Sequence, residues 1–196
     1  MPPEIVRELL WTSVDFPSPK HIEAFVIEQE RYDDERGFFA RTFCREEFTA
    51  RGLNPNVAQC NVSFNQRKGT LRGMHYQVPP FAEAKLVRCT SGAIFDVIID
   101  LRESSATFRQ HFAIELCART GEILYIPEGF AHGFQTLLDD TEVFYQMSQP
   151  YASECARGVR WNDPLFGIEW PPAERIILER DRNYPDFVTR DGELAR

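Results

Sequence analysis

Residues 70–101 read TLRGMHYQVPPFAEAKLVRCTSGAIFDVIIDL, and three extended runs stand out in them: Thr70 to Gln77, Lys85 to Cys89 and Ala93 to Leu101. The last two are separated by Ser91-Gly92, a turn signal. The same pattern extends outward, with Ile22 to Glu28 and Val57 to Phe64 on one side and Gln110 to Leu116, Glu122 to Ile126, Phe130 to Leu137 and Glu142 to Met147 on the other. Residues 65–69 (NQRKG), Arg119-Thr120-Gly121 and Asp139-Asp140 punctuate them. Many short strands with little helix between them predict an all-β antiparallel sandwich or jelly-roll barrel. One helix is predicted over Cys44 to Arg51, closed by Gly52 at a C-cap position. Beyond Trp161 the strand pattern gives way to Pro-rich loops, and the tail after Tyr184 reads as peripheral.

The chain has 196 residues, which suits a single domain able to bury a core without disulfides or metal. An N-terminal arm over 1–21, a core over about 22–171 and a C-terminal extension over 172–196 are expected. The five cysteines (Cys44, Cys60, Cys89, Cys117, Cys155) are odd in number and contain no CxxC pair, so they read as reduced thiols of a cytoplasmic protein. The N-terminal stretch carries charges and prolines where a signal peptide needs an apolar core, and no run approaches a membrane span. Thirty acidic against 22 basic residues give a formal net charge of -8, which argues against a nucleic-acid partner. It leaves room for a local basic cluster that takes a phosphate-bearing metabolite. Arg36, Arg72, Lys85 and Arg88 are the candidates.

Chemistry concentrates between Thr70 and Lys85, where an Arg, a His and a Lys lie in a β-prone frame. Strict alternation places Arg72 and Met74 on one face and Leu71, Gly73 and His75 on the other, unless a bulge at Gly73 resets the phase. Positive neighbours favour the neutral imidazole that a general base needs, while a core histidine bonded to a carbonyl fits these residues equally well. Asp96 and Asp100 sit inside an apolar strand and need a cation, solvent or pocket to face, a structural ion pair being the expected fate. Pro127-Glu128-Gly129-Phe130-Ala131-His132 forms a turn that delivers a His onto the next strand. Its PxGxxH form resembles the second motif of the cupins, whose metal-binding members also need an HxH pair and a Glu. This chain offers only His75 in that region, so no metal site is expected.

A closer resemblance is carried by Asp34-Glu35-Arg36-Gly37-Phe38-Phe39, Leu71-Arg72-Gly73-Met74-His75-Tyr76-Gln77, Lys85-Leu86-Val87-Arg88-Cys89, residues 126–134 (IPEGFAHGF), Trp161-Asn162-Asp163-Pro164 and Gly167-Ile168-Glu169-Trp170-Pro171. In order and spacing these are similar to the dTDP-4-dehydrorhamnose 3,5-epimerases, a metal-free family of cupins, over about residues 22–185. The resemblance implies a cupin-type jelly-roll (double-stranded β-helix) with short peripheral helices. It also implies a cofactor-independent epimerase that inverts C3, C5 or both, beside the C4 ketone of a nucleotide-diphospho-4-keto-6-deoxy-hexose. On that resemblance His75 matches the general base and Asp181 its dyad partner. Lys85 matches the cation near the developing enolate oxygen, and Tyr145, thirteen residues after His132, the proton donor on the opposite face. Arg36 and Arg72 match phosphate contacts, Gln59 and Asn61 the nucleotide end, and Phe38 and Tyr151 stacking positions. His132, Arg180 and Arg41 complete the substrate-contacting set. Family members are homodimers that exchange an N-terminal strand, so Arg36 and Phe38 would serve the neighbouring subunit.

Two positions depart from the family pattern: Arg41 and Ala156 stand where Glu is common. A Glu accepts from thymine N3–H whereas an Arg donates, so dTDP is the expected nucleotide with CDP or another as the alternative. Two other functions are weighed against the epimerase. One is a metal-dependent cupin dioxygenase or isomerase with His75 and His132 as ligands, and the other a non-catalytic nucleotide-sugar-binding cupin.

Overall fold

A computed structural model describes residues 10–13 and 24–187. Its strands are β1 (Leu10–Ser13), β2 (Phe25–Glu28), β3 (Arg31–Asp34), β4 (Gly37–Ala40), β5 (Gln59–Asn65), β6 (Thr70–Gln77), β7 (Lys85–Ser91), β8 (Ala93–Asp100), β9 (His111–Cys117), β10 (Ile123–Ile126), β11 (Phe130–Thr136), β12 (Thr141–Met147), β13 (Ala156–Gly158) and β14 (Ile176–Ile177). Two short helices accompany them, α1 (Arg45–Ala50) and α2 (Glu179–Arg182). The expected N-terminal arm is described only at β1, which pairs antiparallel with β2, and the rest of it lies outside the described residues, as do residues 188–196.

The first sheet runs β1-β2-β10-β7-β12-β5 and the second β13-β6-β11-β8-β9, with β14 added in parallel to the first residues of β6. Neighbours that are distant in sequence, such as β10 between β2 and β7, make this a jelly roll. Alternating residues of both sheets interdigitate between them: Val87, Cys89, Leu124, Ile126 and Val143 from the first against Ile94, Ile98, Leu116, Phe130 and Phe134 from the second. The outer faces are covered too. Phe48 of α1 and Leu53 pack on Leu86, Ile123 and Tyr125 of the first sheet, and Phe166 and Trp170 close over Leu71, Met74, Val97 and Ile99 of the second.

Three features were not anticipated. A β3–β4 hairpin turns at Asp34-Glu35-Arg36-Gly37, where the Asp34 carboxylate accepts from the Arg36 N–H at 2.8 Å and Gly37 takes φ +125°. Its run of charges hides the strand pattern. Within the Pro-rich region, β14 docks on β6 and places α2 beside it. The tail is not peripheral as far as Phe187, whose ring packs 5.6 Å from Phe166 and whose N–H donates to Asp163 at 2.6 Å. Asp100 meets the expected structural fate, fully buried and accepting from Arg102, Ser105 and Thr107.

Candidate active site

The packed core fills one part of the sandwich, and polar inward residues line a cleft in the rest. A larger lobe of about 510 Å³ is bordered by Arg72, His75, Lys85, His132, Tyr145 and Asp181. A smaller one of about 240 Å³ is bordered by Gln59, Asn61, Glu83, Tyr151, Ala156 and Tyr184, and the two share His75, Lys85, Tyr145 and Arg180. His75 and Arg72 come from β6 and His132 from β11 in the second sheet, whereas Lys85 (β7), Tyr145 (β12) and Gln59 and Asn61 (β5) come from the first. The cleft thus has two walls of different sheet origin, one carrying an imidazole and the other a phenol and an ammonium.

Strict alternation on β6 would put Arg72 and His75 on opposite faces. The structure brings both into the larger lobe, while Leu71 and Met74 go together into the core behind the sheet. The change of phase lies at Gly73, opposite a register shift between His132 and Phe134 of β11. Gly73 holds φ +137°, and a Cβ there would fall 2.5 Å from the Gly133 Cα, so a side chain fits neither the backbone nor the space.

The Asp181 carboxylate approaches the cleft from α2, with Oδ1 2.8 Å from His75 Nε2 and Oδ2 accepting from the Gly73 N–H at 3.3 Å. Burial pushes this acid up, but hydrogen bonds from His75, Gly73 and Arg180 together outweigh it and hold the carboxyl below its usual value. A carboxylate at that distance takes the Nε2–H of the ring and leaves the lone pair on Nδ1. Lys85 Nζ donates to the His75 carbonyl at 3.2 Å and lies 3.1 Å from Glu83 Oε1. Burial pushes the Tyr145 phenol up, countered by Arg72 and reinforced by Glu83, so it is protonated at neutral pH. His132, nearly buried, has Nε2 2.9 Å from the fully buried Asp96, which gives that acid its partner.

Arg72 lines the larger lobe and donates to Asn65 Oδ1 at 2.8 Å. Gln59 accepts from the Tyr151 N–H at 3.0 Å, tying two expected nucleotide-end positions together. Arg36, Phe38 and Arg41 do not reach the cleft of their own chain. Arg36 pairs with Asp34 at the hairpin tip with its side chain 83% exposed. Phe38 stands under the Arg31 guanidinium, and Arg41 is held by Glu47. Arg88 leaves the expected basic cluster, because alternation along β7 puts it on the face opposite Lys85, over the ring of Phe144. Glu83 and Tyr184 are among the lining residues that the sequence reading missed. Glu83 shares a side of the chain with Lys85 two residues on, and Tyr184 follows just beyond the end of α2, with its ring 6.1 Å from His75. Tyr184 also fills the space over Gly158, where a Cβ would overlap its ring.

A family model described as dTDP-4-dehydrorhamnose 3,5-epimerase matches residues 20–189. The chain belongs to the dTDP-4-dehydrorhamnose 3,5-epimerase family. It is 40% identical over 173 residues to dTDP-4-dehydrorhamnose 3,5-epimerase of Sinorhizobium fredii, covering 88% of this chain and 89% of that one. The crystal structure of dTDP-4-dehydrorhamnose 3,5-epimerase from Bacillus anthracis with TDP and PPi bound is similar at 38% identity and a TM-score of 0.81, over 84% of this chain and 94% of that chain. The Legionella pneumophila dTDP-6-deoxy-D-glucose-3,5-epimerase in complex with dTDP-4-keto-L-rhamnose is similar at 32% identity and a TM-score of 0.81, over 89% and 90%. This family, with its cupin-like jelly roll, takes precedence over the metal-dependent and non-catalytic readings. Among the described residues no three His, Cys, Asp or Glu side chains are grouped to hold a metal ion. The Nε2 atoms of His75 and His132 instead face separate carboxylates.

Proposed function

We propose that this protein inverts C3 and C5 of dTDP-4-keto-6-deoxyglucose without a cofactor, by taking an α-proton on one face of the ring and returning one on the other. The observation that carries the reading is the pairing of walls: the His75–Asp181 dyad belongs to one side of the cleft and Tyr145 with Lys85 to the other. His75 removes the proton beside the ketone through Nδ1, and Asp181 stabilises the imidazolium that forms. The Lys85 ammonium faces the enolate oxygen, where one positioned donor is typically worth ~10²- to 10³-fold. Tyr145, kept neutral, delivers the proton from the opposite wall. Arg72 takes the diphosphate, and Gln59, Asn61, Tyr151, His132 and Arg180 hold the remainder of the nucleotide sugar. The case for another nucleotide rested on Arg41 and Ala156 standing where Glu is common; the Arg41 guanidinium is engaged by Glu47 in place of a base, and the reading keeps dTDP.

The working form is a homodimer with exchanged N-terminal strands, in which Arg36 and Phe38 enter the partner's cleft. Their projection away from their own cleft supports this, with Phe38 and Phe39 each more than half exposed. A cytoplasmic location fits five unpaired cysteines and the absence, among the described residues, of any helix long and apolar enough to cross a membrane.

Proton NMR in deuterated water with dTDP-4-keto-6-deoxyglucose tests the assignment. Deuterium is expected at both C3 and C5 with the wild type and at neither with His75→Ala, while Tyr145→Phe retains some exchange and loses inversion. Deuterium at one centre alone would make the protein a mono-epimerase, and full epimerisation by His75→Ala would remove the base assignment.

A further inference from the structure

Glu83 is a buried carboxylate that the mechanism above does not use. Its side chain is 8% exposed, and it reaches the cleft from the turn between β6 and β7. Oε2 accepts from Gln77 Nε2 at 2.9 Å, and Oε1 lies 3.1 Å from Lys85 Nζ. Gln77 is itself fixed, donating to the Phe81 carbonyl and accepting from the Ala152 N–H. A buried acid whose two oxygens meet an anchored amide and the cleft's lysine is a built support, since unpaired it would be costly. Building on the epimerase reading, we propose that Glu83 is the positioning residue of the site: it anchors the Lys85 ammonium at the junction of the two lobes and offsets its charge opposite Tyr145.

The surroundings of Tyr145 explain why an offset is needed. The charged and titratable groups that border the cleft around it are Arg72, His75 and Tyr76 from β6, Glu83 from the turn that follows it, Lys85 from β7, His132 from β11, Tyr151 beyond β12, Arg157 from β13, and Arg180, Asp181 and Tyr184 from α2 and the residues that follow it. All but two of these are cations or neutral donors, and each cation favours loss of the phenolic proton. Of the two acids in the lining, Asp181 is occupied by His75 and Arg180, so Glu83 is the carboxylate left to face Lys85 and Tyr145. Its presence adds to burial in holding the phenol protonated. A phenolate could not return a proton to the enolate, and a mobile ammonium would not meet the enolate oxygen at a fixed distance.

Glu83→Gln keeps the shape of the side chain and removes the charge. Titration of Tyr145, read as the ultraviolet difference between each protein and its Tyr145→Phe counterpart, is expected to fall by roughly one pH unit in Glu83→Gln. In the same variant kcat is expected to drop ~10- to 100-fold with KM little changed, the alkaline limb moving to lower pH. Glu83→Asp is expected to keep the wild-type Tyr145 midpoint and recover part of kcat. An unchanged Tyr145 midpoint in Glu83→Gln, or a wild-type pH profile, would overturn the proposal. The titration requires no substrate, so failure of the epimerase reading would show as lack of turnover by the wild type while the titration still reports on Glu83. If Glu83→Gln does not fold, Glu83→Asp and Lys85→Gln carry the test: Lys85→Gln should raise the Tyr145 midpoint, and no change there would also overturn it.

Discussion

With a carboxylate 2.8 Å from His75 Nε2, the ring has one nitrogen left for chemistry, and in the proposed mechanism the proton taken from the sugar goes to Nδ1. Asp181→Asn keeps the size of the partner but presents an amide that can stabilise the wrong tautomer. The expected result is a ~10²- to 10⁴-fold loss of kcat in a steady-state assay, with protein that still folds. The same acid gives a pH signature in stability. Its folded pKa lies below the unfolded value of about 3.9, so its contribution is fully present above that value and is lost as pH falls through the lower folded pKa. Urea unfolding measured from neutral pH to pH 2 should show the wild type losing stability more steeply below about pH 4 than Asp181→Asn does. The five residues from Thr70 to Met74 that precede His75 were legible as strand, and His75 as a base on resemblance. Its face was not, because a single inserted phase change decides it.

At the scale of the element, β6 performs two incompatible tasks with one strand. Leu71 and Met74 must seal the second sheet, and Arg72 and His75 must face the cleft. The bulge at Gly73 reconciles them, and Asp181 is bonded to the Gly73 N–H beside it, so bulge and dyad are one construction. Gly73→Ala is expected to destabilise the fold by ~1–3 kcal/mol, seen in the midpoint of denaturant unfolding, and to cost activity beyond that loss because His75 shifts relative to Asp181. A stable, fully active Gly73→Ala protein would show the bulge to be incidental. β5 has a reversed pattern: Gln59, Asn61, Ser63 and Asn65 turn inward, whereas Cys60, Val62 and Phe64 are exposed. A strand with polar residues inside and apolar residues outside belongs to a polar cleft on one face and asks for a covering on the other.

At the scale of the molecule, that outward face continues across the sheet, since Val62 stands opposite Phe144, which in turn carries Arg88. Together with the projecting β3–β4 hairpin, it is the surface on which a second copy is expected to sit. Sedimentation equilibrium should give a dimer for the wild type and a shift toward monomer for Val62→Glu combined with Phe64→Glu. A monomeric wild type would remove the strand-exchanged dimer and with it the roles of Arg36 and Phe38 in a partner's cleft.

Short β-prone runs between turn formers determined by themselves that the chain is an all-β antiparallel sandwich or jelly roll, because alternation and turn chemistry are local properties, and the resemblance narrowed this to the jelly roll. His75, Lys85, Tyr145 and Asp181 were likewise within reach of sequence motifs. What only the tertiary structure decided is which side chains share a cavity. Arg72 joined His75 through a bulge, Arg88 left the cluster through alternation, and Glu83 entered through its bond to Lys85. Those outcomes depend on the register between strands far apart in the chain and on the need of buried charges for partners, neither of which any local stretch of residues encodes.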